Sequence, residues 1–268
     1  MSDDSPQPDL KLAPAWAARL RALTPARVGL ARTGVSLETR DLLDFQRCHA
    51  QARDAARSRL EAATLAAALA KISGAEVLRL HSAAPDRATY LQRPDLGRKL
   101  DEASRNLLAH RALNETSGSL PDKKSKLALI VADGLSALAV ERHAVPLLTE
   151  LFPRLDAWQL APLCIVQQAR VAIGDEIGQS LGAQISVVLI GERPGLSSPD
   201  SLGAYITWQP RPARTDAERN CISNIRAEGL SYAHAAAQLS YYLTEAHRRQ
   251  LTGIALKEET PKLKANNP

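Results

Sequence analysis

The sequence has few of the residues that stabilise small disulfide-bonded or aromatic-rich domains. Its 268 residues include three cysteines, one methionine and 4% aromatic residues. Cys48, Cys164 and Cys221 are odd in number and widely spaced, which argues against a disulfide framework and favours a reducing compartment. Because aromatic rings are scarce, the core that a chain of this length can bury must be mainly aliphatic.

Long apolar runs and strong charge clusters are also missing. No segment approaches the roughly 18 consecutive apolar residues of a membrane helix, and the polar start lacks the basic and apolar segments of a signal peptide. The net charge of +5 comes from scattered lysines and arginines, whereas nucleic-acid binders concentrate them in a stripe. We therefore expect a cytoplasmic globular protein that binds neither membranes nor nucleic acids.

Several motifs of known chemistry do not occur in the sequence. There is no G-x-G-x-x-G and no Walker pattern, which disfavours dinucleotides and nucleoside triphosphates. The six histidines form no H-x-x-x-H pair and the cysteines form no C-x-x-C, which disfavours zinc. No D-x-H-x-x-G supplies a histidine for cobalt. The G-x-S-x-G elbow is missing as well, although a triad assembled from distant residues stays open.

Composition divides the chain into four parts. These are a flexible N-terminal tail with a short helix at 1–20, a helical region at 21–73, an α/β domain at 74–256 and a tail at 257–268. Within the helical region, residues 39–70 predict one long helix or two shorter ones, and Gly74 is the expected cap. A further helix is predicted at residues 95–113, inside the α/β domain.

Strand and helix patterns alternate after Gly74. Continuous apolar runs at 127–132 and 185–190 are typical of strands buried on both faces. Shorter strands are predicted at 76–81, 163–167 and 204–208, and helices at 137–151, 173–181 and 230–250. The alternation predicts a Rossmann-like α/β fold, a mostly parallel sheet with helices on both faces. Residues 215–229 are expected to form a polar loop or short helix.

Three segments should meet at the carboxyl edge of this sheet, where α/β proteins bind ligands. They are residues 133–136, 171–176 and 191–201. Asp133-Gly134 is also a common turn and Asp175 a common helix cap, so structural roles remain open for both. In the third segment, glycines, hydroxyls and Glu192 can bring backbone and acceptor groups close to a ligand.

Cys221 is a further candidate for contact with a ligand, because its neighbours in the sequence are polar. A lone cysteine is usually a small buried apolar residue. The surrounding run, residues 219–226, makes a ligand-facing position equally plausible. Both interpretations remain open at this point.

Two long ungapped segments carry a family resemblance. They read GERPGLSSPDSLG at 191–203 and TDAERNCISNIR at 215–226, and shorter matches lie at 24–34, 44–54, 86–98 and 131–139. Together they resemble the small subunit of ethanolamine ammonia-lyase between about residues 24 and 256. The two long segments are irregular, so chance similarity is a poor explanation for them.

The resemblance implies a function that the residues alone do not. The family's enzyme uses adenosylcobalamin to convert ethanolamine to acetaldehyde and ammonia by a radical mechanism. A large TIM-barrel subunit binds the substrate, and the small subunit covers one side of the cobalamin. Val171, Glu192 and Cys221 match the family's cobalamin contacts, and no catalytic residue or metal ligand is implied for this chain. The resemblance also implies six large plus six small chains and a bacterial microcompartment.

Two other classes of function compete with this interpretation. A stand-alone α/β hydrolase or transferase would need a self-sufficient catalytic constellation. A structural or interaction protein would bind no ligand, which the loop at 191–201 counts against. Apolar surface left exposed on the isolated chain would favour an obligate subunit.

Overall fold

The computed structural model describes residues 15–24, 26–115 and 125–257. The helices in these residues are α1 (Ala15–Leu23), α2 (Thr39–Arg57), α3 (Ala62–Ser73), α4 (Arg87–Gln92), α5 (Glu102–Glu115), α6 (Ala137–Leu151), α7 (Ile173–Ser180) and α8 (Tyr232–Arg249). The strands are β1 (Arg32–Thr33), β2 (Ser36–Leu37), β3 (Val77–His81), β4 (Ser125–Ala132), β5 (Trp158–Leu160), β6 (Leu163–Gln167), β7 (Ile185–Gly191), β8 (Leu202–Trp208) and β9 (Arg219–Ile225).

One sheet of seven strands organises the molecule. Its order is β3-β6-β4-β7-β8-β9, with β5 pairing beside the start of β4. The strands β3, β6, β4 and β7 are parallel, whereas β8 and β9 extend the sheet as antiparallel neighbours. The predicted α/β fold with a mostly parallel sheet is confirmed.

The central strand β4 shows why this sequence forms a sheet covered on both faces. Leu129 and Val131 pack into a cluster with α3, α6 and α8. Ile130 and Ala132 point the opposite way, into a cluster with α5 and α7. Because successive side chains alternate between faces, only a continuous apolar run fills both clusters.

The positions at which several helices begin and end differ from the predicted ones. The pattern over 39–70 forms two helices, of which α2 ends at Arg57 and α3 begins at Ala62. Gly74 caps α3 with φ of +62°, as predicted. The helix predicted at 95–113 is wrong in its first third, because residues 96–98 form a separate 3₁₀ turn and α5 begins at Glu102.

Residues 215–229 also differ from the prediction of a loop or short helix. After a short 3₁₀ turn they form β9, which pairs with β8. The polar sequence does not alternate clearly, so its conformation is decided by the neighbouring strand and not by its own propensity. The strand β5 and the small β1–β2 hairpin lie outside the predicted elements.

The N-terminal region, made of α1, the β1–β2 hairpin and α2, exposes a group of large apolar side chains, here called the N-terminal apolar surface. Its members are Trp16, Leu20, Leu23, Val35, Leu42, Leu43 and Phe45. In α2, Ala55 is the one buried residue of the helix as the structure describes it. The guanidinium of Arg27 joins the loop after α1 to α2, since it donates to Asp44 at 3.1 Å and lies over the Phe45 ring.

By contrast, α3 packs into the same apolar cluster as the sheet. The division of the chain at residues 20, 73 and 256 stays a prediction. Across the described ranges, every helix is too short or too polar to cross a membrane.

Candidate functional site

The carboxyl ends of β4 and β6 are joined by a buried carboxylate. Asp133 is fully buried and accepts the backbone N–H groups of Gln168, at 2.8 Å, and Ala169, at 3.0 Å. Burial raises the pKa of Asp133, while the two N–H donors and the nearby Arg87 act in the opposite direction. The residue therefore fixes the loop after β6 against the end of β4, which is a structural role.

The ends of β4 and β7 meet backbone to backbone. Gly134 has φ of +57°, and a Cβ there would lie 2.2 Å from the carbonyl oxygen of Gly191. A Cβ on Gly191 would lie 2.0 Å from the carbonyl oxygen of Ser136. Only glycine permits this approach, so the predicted segments 133–136 and 191–201 do come together. Val171 of the third predicted segment lines a cavity together with Gly134 and Gly191.

Two cavities lie at this edge. The first, the edge cavity, has a volume of about 450 Å³ and is lined by Tyr90, Gly134, Leu135, Arg170, Val171, Ile190, Gly191, Glu192, Arg193 and Tyr205. The second, the shelf cavity, has a volume of about 660 Å³ and lies between the start of α7 and residues 212–216. Arg170, Val171 and Tyr205 line both cavities. Together they offer a concave surface larger than most single small-molecule sites require.

Glu192 is held in place through one of its carboxylate oxygens. Its Oε2 accepts the hydroxyl of Ser201 and the backbone N–H of Asn224, the latter at 3.2 Å. Its backbone N–H donates to the carbonyl of Ser201 at 2.9 Å. A Cβ on Gly203 would lie 2.9 Å from Oε1, so this glycine leaves room for the carboxylate. Oε1 has no hydrogen-bond donor among the described residues and can accept from a ligand.

Cys221 lies beside the cavities and does not line them in the described structure. It occupies the edge strand β9, directly opposite Tyr205 on β8. Cys221 is exposed. Neighbouring groups nevertheless desolvate its thiol and raise the pKa of Cys221, and the hydrogen bond with the Tyr205 hydroxyl acts in the opposite direction. Of the three expected cofactor contacts, the structure thus brings Val171 and Glu192 into one cavity and places Cys221 beside Tyr205 on the neighbouring strand.

A buried ion pair lies against the shelf cavity, which one of its members, Asp175, lines. Arg219 on β9 donates to both oxygens of Asp175 on α7 at 2.7 Å, and both side chains are 2% exposed. Arg219 also donates to the hydroxyl of Thr207 at 2.9 Å. Burial raises the pKa of Asp175 and Arg219 opposes the shift. The helix-cap interpretation of Asp175 is wrong, because the N-cap of α7 is Ala172.

The far end of the 191–201 loop is clamped to α6. The carboxylate of Asp200 accepts from Arg142 at 2.7 Å and lies 3.3 Å from Nε2 of His143. The Ser136 hydroxyl donates to the carbonyl of Pro199 at 2.9 Å. Burial opposes ionisation of Asp200, but Arg142 and His143 outweigh it and hold the pKa of Asp200 below its usual value.

Comparison with known proteins identifies the family of this chain. A family model described as ethanolamine ammonia-lyase light chain matches residues 14–257. The chain belongs to this family.

Relatives support the same assignment over nearly the whole chain. The ethanolamine ammonia-lyase small subunit of Pseudomonas paraeruginosa DSM 24068 / PA7 is 54% identical over 259 residues, covering 96% of this chain and 92% of the relative. The small subunit of Pseudomonas fluorescens Pf0-1 is 57% identical over 242 residues, covering 90% and 86%. That of Ralstonia nicotianae GMI1000 is 55% identical over 254 residues, covering 93% and 91%. The family resemblance seen in the sequence is confirmed.

For this family member, sequence reasoning missed several cavity-lining side chains. Tyr205 falls within a predicted strand, but its place in the cavity depends on the register of β8. Arg170 directly precedes a predicted segment, and its guanidinium lies 4.3 Å from the Tyr90 ring centroid. No sequence signal connects Arg170 with Tyr90, since they are distant in the chain and meet only in the folded state.

The lining residues of both cavities, as far as the structure describes them, include no histidine, cysteine or serine. Across the described ranges, no three His, Cys, Asp or Glu side chains cluster so that they could hold a metal ion. The lining instead combines apolar side chains, four carboxylates and several guanidinium groups. This combination is suited to holding a large ligand of mixed polarity and gives no support to a nucleophilic triad at this site.

Proposed function

We propose that this chain is the small subunit of an adenosylcobalamin-dependent ethanolamine ammonia-lyase and forms one side of the cobalamin site. The observation that carries the proposal is the meeting of Val171 and Glu192 in one cavity at the carboxyl edge of the sheet. These two positions match the family's cobalamin contacts. When bound, adenosylcobalamin supplies the radical chemistry that converts ethanolamine to acetaldehyde and ammonia.

The cavity residues fit the chemistry of a corrin ring fringed by amides. Oε1 of Glu192 can accept a hydrogen bond from an amide N–H, and the backbone near Val171 offers further acceptors. Leu135 and Ile190 add apolar surface for the ring. Leaving such an acceptor unmatched in a desolvated site costs about 1–3 kcal/mol, so these groups can select the cofactor. We assign binding and orientation to this chain, with no catalytic residue.

The proposed partner is the large subunit, a TIM barrel that binds ethanolamine. The N-terminal apolar surface supports this part of the proposal, because large exposed apolar groups on one region mark interaction sites. An assembly of six large and six small chains, and its location in a bacterial microcompartment, rest on the family resemblance alone.

A stand-alone hydrolase is less well supported. The nearest arrangement to a catalytic relay is Tyr232, His143 and Asp200, in which Nδ1 of His143 lies 2.9 Å from the tyrosine hydroxyl. His143 and Asp200 are buried, and none of the three lines either cavity in the described residues. Their contacts clamp a loop, which is a structural role.

The decisive experiment measures cobalamin binding and ethanolamine deamination with this chain alone, with the large subunit alone and with both co-expressed. We expect activity and tight cobalamin binding in the co-expressed complex and no turnover by this chain alone. Full activity of the large subunit alone would reduce this chain to an accessory. Turnover by this chain alone would contradict the assignment of the chemistry to a shared site.

A further inference from the structure

Positive charge exceeds negative charge around Tyr90, at the wall of the edge cavity. The guanidinium groups of Arg87 and Arg170 lie 4.8 Å and 4.3 Å from the tyrosine ring centroid. Asp133 is 3.8 Å from Arg87, but Arg170 has no carboxylate partner among the described residues. One carboxylate thus stands against two guanidinium groups, which leaves the positive charge of Arg170 unbalanced beside Tyr90.

Arg170 is held in a fixed and partly desolvated position. One of its terminal nitrogens donates to the backbone carbonyl of Tyr90 at 3.3 Å. Its Nε atom is buried without a hydrogen-bond partner in the described structure. A buried donor without an acceptor is costly, and a ligand that accepts from the guanidinium adds an interaction in a region of low dielectric.

Gly97 brings two further cations to the same place. Its carbonyl accepts the backbone N–H of Arg170 at 2.7 Å. A Cβ on Gly97 would lie 3.0 Å from both Arg170 and Tyr90, so the glycine allows the 96–98 turn to pack against them. As a result, Arg98 and Lys99 line the shelf cavity next to Arg170.

The acidic residues that line the shelf cavity do not balance these cations, because they are already engaged. Asp175 is paired with Arg219, whose Nε atom also lies 3.5 Å from the carboxylate of Asp216. Glu176 accepts from Arg105 at 2.5 Å and from the backbone N–H of Leu100 at 2.9 Å. Arg98 and Lys99 form no side-chain ion pair within the described residues. The part of the cavity mouth next to Arg170 is therefore positive.

We propose that Arg170, flanked by Arg98 and Lys99, binds a phosphate group. Resting on the proposed function, we assign this group to the phosphodiester in the nucleotide tail of cobalamin. A phosphodiester carries one negative charge, which matches the imbalance beside Tyr90. Guanidinium groups bind phosphate oxygens through paired N–H donors, and this favours arginine over lysine at the central position.

The test compares two corrinoids on the complex of both subunits. Cobalamin and cobinamide share the corrin ring, but cobinamide lacks the nucleotide and its phosphodiester. Equilibrium binding is followed by the absorbance change of the corrinoid, without any assay of turnover. For Arg170→Gln we expect cobalamin affinity to fall by about 10- to 100-fold, in line with loss of a charge-assisted hydrogen bond, and cobinamide affinity to stay unchanged.

Milder variants keep the test valid if loss of Arg170 disturbs the Tyr90 packing. Arg98→Gln and Lys99→Gln change exposed side chains, and each is expected to weaken cobalamin binding several-fold with no effect on cobinamide. Arg170→Lys should recover part of the affinity. Arg211→Gln is the matched control, since this exposed arginine is next to the lining loop but does not line either cavity.

Other results would overturn the inference. Equal losses for cobalamin and cobinamide in Arg170→Gln, Arg98→Gln and Lys99→Gln would give these cations a role other than phosphate binding. Inorganic phosphate is also titrated calorimetrically into the complex without corrinoid. Saturable binding that is lost in Arg170→Gln and that cobalamin does not displace would assign the site to free phosphate. If the unaltered complex binds neither corrinoid, the proposed function fails and this inference with it.

Discussion

At the scale of single residues, the two carboxylate oxygens of Glu192 have different roles. Oε2 organises the protein, since it accepts from Ser201 and from the backbone of Asn224. Oε1 lies above Gly203 and is available to a ligand. A substitution at this position therefore removes a ligand contact and loosens a loop at the same time, and the two effects need separate variants.

Glu192→Ala is expected to weaken cobalamin binding to the two-subunit complex by roughly 5- to 150-fold, the equivalent of about 1–3 kcal/mol. Ser201→Ala removes one internal donor but leaves Oε1 in the cavity, so it should weaken binding far less. Corrinoid titration measures both, and size-exclusion chromatography checks that the complex still assembles. Equal effects of the two substitutions would show that loop order, and not the ligand contact, is what Glu192 contributes.

Sequence reasoning reached some of these residues and missed others for a physical reason. Glu192 directly follows β7, and Val171 lies in the segment just beyond the end of β6, so the rule for the carboxyl edge of a sheet selects both. Arg170 and Tyr90 belong to the cavity only because Gly97 lets two distant segments touch. Such contacts depend on tertiary geometry, which a single sequence does not contain.

At the scale of elements, the ion pair of Asp175 and Arg219 fixes α7 to β9. It lies against the shelf cavity, and both side chains are 2% exposed. The antiparallel strands β8 and β9 extend beyond the parallel part of the sheet. The pair therefore determines how this extension is positioned relative to the start of α7.

Asp175→Asn should destabilise the protein by about 3–5 kcal/mol, because it leaves the buried Arg219 guanidinium with only the exposed carboxylate of Asp216 as a counter-charge. Urea unfolding of the purified chain or complex measures the change. Asp216→Asn is the matched control, since Asp216 is 3.5 Å from the same guanidinium but 96% exposed, and it should change stability by less than about 1 kcal/mol. A similar small effect for both variants would mean that the buried pair contributes little.

Elements with strong apolar patterns were predictable, and those formed by pairing were not. The runs at 127–132 and 185–190 identify β4 and β7 because a strand buried on both faces must be apolar throughout. The strand β9 has Arg, Asn, Cys and Ser within Arg219–Ile225. Its conformation comes from hydrogen bonds to β8. Because the sequence does not predict β9 as a strand, it also does not predict that Cys221 pairs with Tyr205.

At the scale of the whole molecule, several carboxylates have pKa values lowered by folding. The Thr215 backbone and Arg214 lower the pKa of Glu218 to about 2. Arg248 and Arg249 lower the pKa of Glu245 on α8 to about 2. A carboxylate with a lowered pKa contributes stability above its unfolded value, and this contribution is lost as the pH falls through the folded value.

For Glu218→Gln, the loss of stability relative to the unaltered protein should therefore be constant from pH 7 to about pH 5. It should shrink below the ordinary glutamate pKa of about 4.5 and vanish near pH 2. Urea midpoints measured at pH 7, 5, 4 and 3 for both proteins check this. A difference that does not depend on pH would mean that Glu218 acts through packing or neutral hydrogen bonds.

The order of the strands also has a consequence for how fast the chain can fold. Val77 of β3 pairs with Leu163 of β6, and β4 lies between β6 and β7 in the sheet. Parallel pairing of strands so distant in sequence is slow, because a long loop must close before any contact forms. During that interval the N-terminal apolar surface is already available to other molecules, which favours aggregation. Synthesis of the large subunit beside this chain would shorten that exposure, so the timing of partner supply, and not only final affinity, should govern the yield of the complex.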